Sequence, residues 1–249
     1  QGYSSAASDV YKRQGLGSAN GSRTGASPLA EMMENLTKKP NISVITCMGN
    51  EANNKCHYKG TVMSALVPDV MEINVDGTGK GFTMEIWADS LDILSVSIES
   101  PSGEYVPRIP ARMGASMEYT FLYEGSTVTV DYQITENVAG MEVIFVRLKT
   151  PVEGTWKFYI YSLTNIKGSY NAWLPLKQFS GQDIYFLKSD PDTTLTVPAA
   201  ADGVISVGAY NHYTGAAYYE SGRGYSADGR IKPDFVAPGA GVYGIAPSG

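Results

Sequence analysis

The hydrophobic pattern changes period twice along the chain, and no other feature constrains the fold as much. Near the amino end the period is helical. Ser27 suits an N-cap, Pro28 suits the first helical position, and Leu29, Met32, Met33 and Leu36 recur at helical spacing, which predicts an amphipathic helix ending before Pro40. Ile42 to Met48 (ISVITCM) follows, a β-branched apolar run bounded by Pro40 and Gly49, as expected of a strand buried on both faces. Between Thr61 and about Asp190 the period drops to two. Phe82–Trp87, Leu94–Ile98, Thr127–Ile134, Glu142–Leu148 and Trp156–Tyr161 read as strands, and Asp76-Gly77, Pro101-Ser102-Gly103 and Glu153-Gly154 read as turns. The tail returns to a buried strand, Gly203–Ala209 (GVISVGA), and a proline-punctuated segment, Ile231–Gly239 (IKPDFVAPG). The expected organisation is an α/β core in two parts, 15–62 and 191–249, interrupted by an all-β sandwich over 63–190. Ser4 to Gln14 (SSAASDVYKRQ) has neither period, and residues 1–14 are expected to be a non-native leader outside the fold.

A length of 249 residues accommodates two modest cores. The content of 43% hydrophobic and 18% charged residues, with 27 Gly and 17 Tyr, fits a folded, turn-rich chain rather than a disordered one. A net charge of −6 without a clustered Lys/Arg run argues against nucleic-acid binding. No apolar run approaches the ~18 residues of a membrane span. Cys47 and Cys56 cannot form a zinc site with His57 alone, and they read as two unrelated free thiols. No metal or cofactor is expected.

Three separated segments carry a more specific signal. The first is Gly15-Leu16-Gly17 with the helix start Thr24–Glu31 (TGASPLAE). The second is Met48-Gly49-Asn50-Glu51 with His57-Tyr58. The third is Thr196-Val197-Pro198-Ala199-Ala200, then Val207–Tyr210, Asp228–Asp234 and Ala237-Pro238-Gly239. In this order they resemble the subtilisin-like serine proteases, the subtilases. The resemblance implies a partial subtilisin-like parallel-sheet core, and it implies that Asn50 is the side-chain donor of an oxyanion hole. A fixed amide N–H aimed at the carbonyl oxygen stabilises the negative charge of the tetrahedral transition state. It further implies that Leu16, Gly17, Cys47, Met48 and Gly49 wall the primary specificity pocket and pair with an extended peptide or protein substrate. Glycine at positions 17 and 49 would leave room for that chain. Read without the resemblance, Asn50 ends a strand in a Gly-Asn turn and Leu16 is a core residue.

A subtilase also needs a Ser nucleophile, a His base and an orienting Asp. In the family the Asp and a His-Gly-Thr-His motif precede the segment matching Gly15, and a Gly-Thr-Ser motif follows the one matching Ala246–Gly249. The chain is therefore expected to be an interior fragment, inactive alone, of a parent serine endopeptidase made with a propeptide. Ser248 is not assigned. His57 and His212 lack the base motif and read as loop or surface residues. Glu51, Asp228 and Asp234 read as makers of turn and loop bonds, and Arg230, Lys232 and Asp234 as a charged cluster knitting a loop to the sheet.

The insertion point, with Trp156 and Ala172-Trp173-Leu174-Pro175, resembles the jelly-roll insertion of clostridial subtilases, including germination-associated spore proteases. That implies a rigidifying role. Tyr105, Tyr119 and Tyr185 are alternatively sugar-stacking platforms, although sandwich-core and interface packing is the commoner use of such rings. The rival reading from another class is a pseudoprotease parent whose β domain binds a partner or glycan. Location is open between spore or cell envelope and the extracellular space; two free thiols suit a spore or cytoplasmic setting better than secretion.

Overall fold

The structure, a computed structural model, describes residues 10–14, 17–77, 79–88, 92–112, 114–134, 141–180 and 183–243. Leu16 and Ala246–Gly249 lie outside them. In chain order β1 (Val10–Gln14), α1 (Pro28–Thr37) and β2 (Ile42–Cys47) come first. Then follow β3 (His57–Thr61), β4 (Asp69–Asp76), β5 (Gly81–Ala88), β6 (Leu94–Glu99), β7 (Tyr105–Ile109) and β8 (Ser116–Thr120). After them run β9 (Thr127–Ile134), β10 (Glu142–Lys149), β11 (Gly154–Ser162), β12 (Ser169–Trp173), the short α2 (Lys177–Ser180) and β13 (Asp183–Phe186). The chain closes with β14 (Ile205–Asn211) and β15 (Phe235–Ala240).

These elements form two compact units. The first holds the described residues to Ser18, Arg23–Asn53 and those from Asp192 on; the second holds Ala19–Ser22 and Asn54–Pro191. The sequence placed the first boundary at 62/63, but β3 pairs antiparallel with β12, which draws His57–Thr61 into the β unit. Residues 10–14 also differ from expectation. Their backbone runs as β1, parallel to β2 from Val10 opposite Ile42 to Gln14 opposite Thr46.

The first unit is a four-stranded sheet in the order β1-β2-β14-β15, with every pairing parallel. Helix α1 begins as its sequence dictates: the Ser27 hydroxyl accepts from the Ala30 N–H at 3.2 Å and Pro28 opens the first turn. Its buried stripe is shifted from the expected one. Ala30 is 1% exposed, and Met33 and Leu36 pack with it on Val44, Ala201 and Val204, whereas Leu29 and Met32 are 38% and 63% exposed. The small Ala30 is what lets the helix approach the sheet. Strand β2 is fully buried on one face only, at Val44 and Thr46; Ile45 and Cys47 are half-buried.

The loop before β15 is held as the charged cluster predicts. Lys232 donates to the Val204 carbonyl and to Asp234, each at 2.9 Å, and Asp234 accepts from the Ser206 N–H at 2.6 Å and its hydroxyl at 2.8 Å. Burial works to raise the Asp234 carboxyl, but Lys232 and the Ser206 bonds outweigh it and hold the group below the ordinary carboxylate range. Arg230 ties Asp228 and Asp202 to the carbonyls of Thr24 and Ala200.

The second unit is two antiparallel sheets, β3-β12-β5-β10-β9-β8 and β13-β4-β11-β6-β7, sharing one apolar core. Strand β11 shows why: Trp156, Phe158 and Ile160 are wholly buried while Lys157, Tyr159 and Tyr161 face outward, the two-residue period of a sheet with one covered face. A buried carboxylate orders the loop before β12. Asp92 accepts from the N–H groups of Ile166, Lys167 and Gly168 at 2.6, 2.9 and 2.7 Å. Burial alone would raise its pKa, and these donors more than reverse that. Of the tyrosines proposed as platforms, only Tyr105 is well exposed, at 48%; Tyr119 packs against the core and Tyr185 is half-buried.

Candidate active site

Of the residues singled out from sequence, Cys47, Met48, Gly49 and Asn50 follow one another where β2 ends in the first unit, and Leu16 lies outside the described residues. Strand β2 stops at Cys47 because the chain turns at Gly49, whose φ of +86° belongs to the left-handed region that glycine enters without strain. The turn leaves Asn50 exposed at the carboxyl edge of a parallel sheet, where α/β folds place their functional loops. Before it, the Met48 N–H donates to the Val207 carbonyl at 3.1 Å, and after it the Gly222 N–H donates to the Gly49 carbonyl at 2.7 Å. The backbone on both sides of Asn50 is thereby fixed. Glu51 is buried, and the Ala52 N–H donates to the Glu220 carbonyl at 3.2 Å.

A cavity of about 520 Å³ opens beside Asn50, lined by Ile45–Asn50 of the β2 end and by residues of β14 and β15. Its walls are mostly apolar, and Thr46, Asn50 and Ser221 bring side-chain polar groups. The Ser221 hydroxyl is already engaged. It accepts from the Ala209 N–H at 3.0 Å and donates to the Gly222 carbonyl at 3.5 Å, so it acts as a strut between loop and strand.

Two other segments converge on the same turn. Ser18 and Val197 exchange both backbone bonds at 3.0 Å, and the Thr196 N–H donates to the Met48 carbonyl at 3.0 Å. Gly17, Met48 and Gly49 are thus brought together around Thr196 and Val197. The expected reason for the glycines needs correction. A Cβ on Gly17 would stand 2.2 Å from the Thr196 hydroxyl oxygen, and one on Gly49 would stand 2.5 Å from its methyl carbon. The room left by the missing side chains is filled by Thr196 of the same chain. Thr196 had been noticed only as part of a motif; paired glycines in two short segments were the available signal.

The two histidines lie elsewhere. His57, expected in a loop, is wholly buried on β3 in the second unit, its ring stacked on Trp173 with centroids 5.0 Å apart and its nitrogens 3.0 Å from the Asn171 side-chain oxygen and 3.2 Å from the Asp190 carbonyl. His212 is exposed just past β14, as a surface histidine should be. Asp228 and Asp234 make the turn and loop bonds expected of them. Cys47 lies at the cavity and Cys56 is buried in the second unit, and no disulfide joins them among the described residues. Among the described residues there is no group of three or more His, Cys, Asp or Glu arranged to hold a metal, and no helix long and apolar enough to cross a membrane.

Comparison with known proteins bears on the family resemblance. The sequence model of the Subtilase family matches residues 149–247, a span that contains Thr196–Val197, β14 and β15. Among five solved chains that match is the CspB protease of Clostridium perfringens, 25% identical, with a TM-score of 0.80 over 93% of this chain and 48% of that one. Residues 149–247 thus match the subtilase family, and the chain resembles a clostridial subtilase. No curated protein matches it. This chain spans about half the length of the Clostridium perfringens protease.

Proposed function

We propose that this chain forms part of a serine endopeptidase that hydrolyses peptide bonds through an acyl-enzyme, and that Asn50 supplies its oxyanion stabilisation. The observation that carries the reading is the fixed turn at Gly49-Asn50, held by backbone bonds on both sides and opening on an apolar cavity at the carboxyl edge of the sheet. When a serine oxygen adds to the scissile carbonyl carbon, the carbon–oxygen π electrons move onto oxygen, and the Asn50 amide N–H donates to that oxygen. Loss of the amine then restores the carbonyl as the acyl-enzyme, and water releases the acid. Leu16, Gly17, Cys47, Met48 and Gly49 flank the extended substrate in this reading.

Neither of the chain's histidines is set in the family's base motif, and no described serine is placed as a nucleophile. The proposal therefore assigns the Asp, His and Ser of the triad to parts of a longer protein, and the 249-residue chain alone is inactive. The first unit is, in this reading, part of a subtilisin-like core, and the two antiparallel sheets are a jelly-roll insertion that stiffens it. A fluorophosphonate probe tests the assignment: the intact natural protein should be labelled and the 249-residue chain should not. Labelling of the chain alone, or none of the intact protein, defeats it.

A further inference from the structure

Two connections carry the chain from one sheet of the second unit to the other, and both lie at the same end. The first runs from β3 to β4 and the second from β11 to β12, and the pairing of Thr61 with Ser169 and of Asp69 with Ile160 sets their roots side by side. Both present large apolar side chains to solvent: Met63, Leu66 and Val67 on the first and Leu163 and Ile166 on the second are between 62% and 90% exposed. Single exposed apolar residues are ordinary, but five on two neighbouring loops make a patch of the kind that a partner covers. Backbone bonds hold the loops in this form. The Val62 N–H joins them by donating to the Gly168 carbonyl at 2.8 Å, the Leu66 N–H donates to the Ser64 hydroxyl at 3.2 Å, and the Leu163 N–H donates to the Ile93 carbonyl at 2.8 Å. Asp92 holds the N–H groups of Ile166, Lys167 and Gly168.

Charge and composition indicate what the patch fits. Residues 62–68 and 163–168 contain one charged side chain, Lys167, and Lys59 stands exposed on β3 near the root of the first loop, in a chain whose net charge is −6. The carboxylates nearest in sequence are occupied within the unit: Asp92 by the amides of the second loop, and the half-buried Asp69 by the hydroxyls of Tyr58 and Tyr170. Protein–protein interfaces are enriched in aromatic rings and arginine and poor in lysine, and these loops carry aliphatic side chains and lysine with neither ring nor arginine. Aliphatic tips beside ammonium groups suit the surface of an anionic bilayer, where the tips enter the acyl boundary and the lysines stay among the phosphates. We infer that this end of the second unit is a membrane-docking tip, which seats the Met63–Val67 and Leu163–Ile166 loops in the headgroup boundary of an anionic lipid surface. It uses no residue of the proposed catalytic site and does not depend on the protease reading.

Flotation of the intact natural protein with lipid vesicles provides the test. Vesicles of equal parts phosphatidylglycerol and phosphatidylcholine should bind it at least about tenfold more strongly than phosphatidylcholine alone, and binding should fall as salt is raised. Leu66→Ser should weaken binding to the anionic vesicles by at least about tenfold, and Lys167→Glu by about fivefold or more. Leu66 is 90% exposed, so its serine variant should unfold in urea at the wild-type midpoint, which separates lost binding from lost folding. Wild type that does not float with the anionic vesicles, or binding that is unchanged in Leu66→Ser, overturns the inference. A dimer in solution that Leu66→Ser dissolves also overturns it, because the patch would then be covered by a second copy of the chain.

Discussion

Replacing Glu142 with glutamine should make the stability of this chain less dependent on pH, and the size of the effect can be worked from the side chain's surroundings. Glu142 opens β10 and is 3% exposed. One carboxyl oxygen accepts from the Leu94 N–H at 2.5 Å, and the other is buried without a hydrogen-bond partner among the described residues. Burial is the main force pushing its pKa up to about 7; the Leu94 bond opposes this, and the nearby Asp92 carboxylate adds to it. Below about pH 4.5 the glutamate keeps its proton whether the chain is folded or not. As pH rises from there the unfolded chain ionises first, so the folded state loses stability until its own carboxyl has titrated near pH 7. At ~1.4 kcal/mol for each tenfold difference in proton affinity, the full loss is about 3 kcal/mol, of which about 2 kcal/mol falls between pH 5 and pH 8. Glutamine can keep the Leu94 bond and never ionises. Urea unfolding of the full chain provides the assay, since Trp87, Trp156 and Trp173 all lie in the β unit and their fluorescence reports on it. The stability difference between variant and wild type should move in favour of the variant by about 2 kcal/mol from pH 5 to pH 8. A difference that stays constant across that range refutes the assignment of a high-affinity proton to Glu142.

Three further outcomes are expected. Asn50→Ala in the intact natural protein should lower kcat by ~10²–10³ with little change in KM, a general magnitude that itself comes from a subtilisin's oxyanion donor; steady-state kinetics reads it, and an unchanged kcat removes Asn50 from the site. Gly49→Ala should destabilise the chain by about 1–3 kcal/mol, through a positive φ and a Cβ 2.5 Å from the Thr196 methyl, and pairing it with Thr196→Ser should recover part of the loss in the same urea experiment. Ser27→Ala should cost about 1 kcal/mol by removing the cap on the Ala30 N–H; a helix cap that contributes nothing would leave the unfolding midpoint where it was.

The sequence was most legible where period and punctuation agree. Strands β5, β6, β9, β10 and β11 fall within two residues of their expected limits because alternation runs for six residues or more and a turn residue closes each. Strand β3 was not legible. His57–Thr61 (HYKGT) is short, polar and interrupted by Gly60, and what makes it a strand is its edge pairing with β12, more than a hundred residues away in sequence. The burial of His57 follows from that same pairing, so a reading that missed the strand also misplaced the histidine. Helix α1 shows a subtler limit: period alone cannot tell which stripe faces the sheet, and the smallest residue, Ala30, set the contact instead of the larger Leu29 and Met32. At the candidate site Asn50 stood out only through the family-like segments around it, since Gly49-Asn50 alone reads as a strand-ending turn. Thr196 did not, because its importance comes from standing between two segments that are distant in sequence from it and from each other.

The parallel pairing of β2 with β14 places Ile45 opposite Ile205, so the edge that carries Asn50 is closed only when residues 160 positions apart have met. As a random coil the intervening chain would make that meeting entropically costly and slow. Folded beforehand into its two sheets, the same stretch becomes a short tether whose ends begin and finish near Asn54 and Pro191. Synthesis delivers the β unit complete before β14 emerges, so the order of translation itself favours assembling the turn at Gly49-Asn50 last.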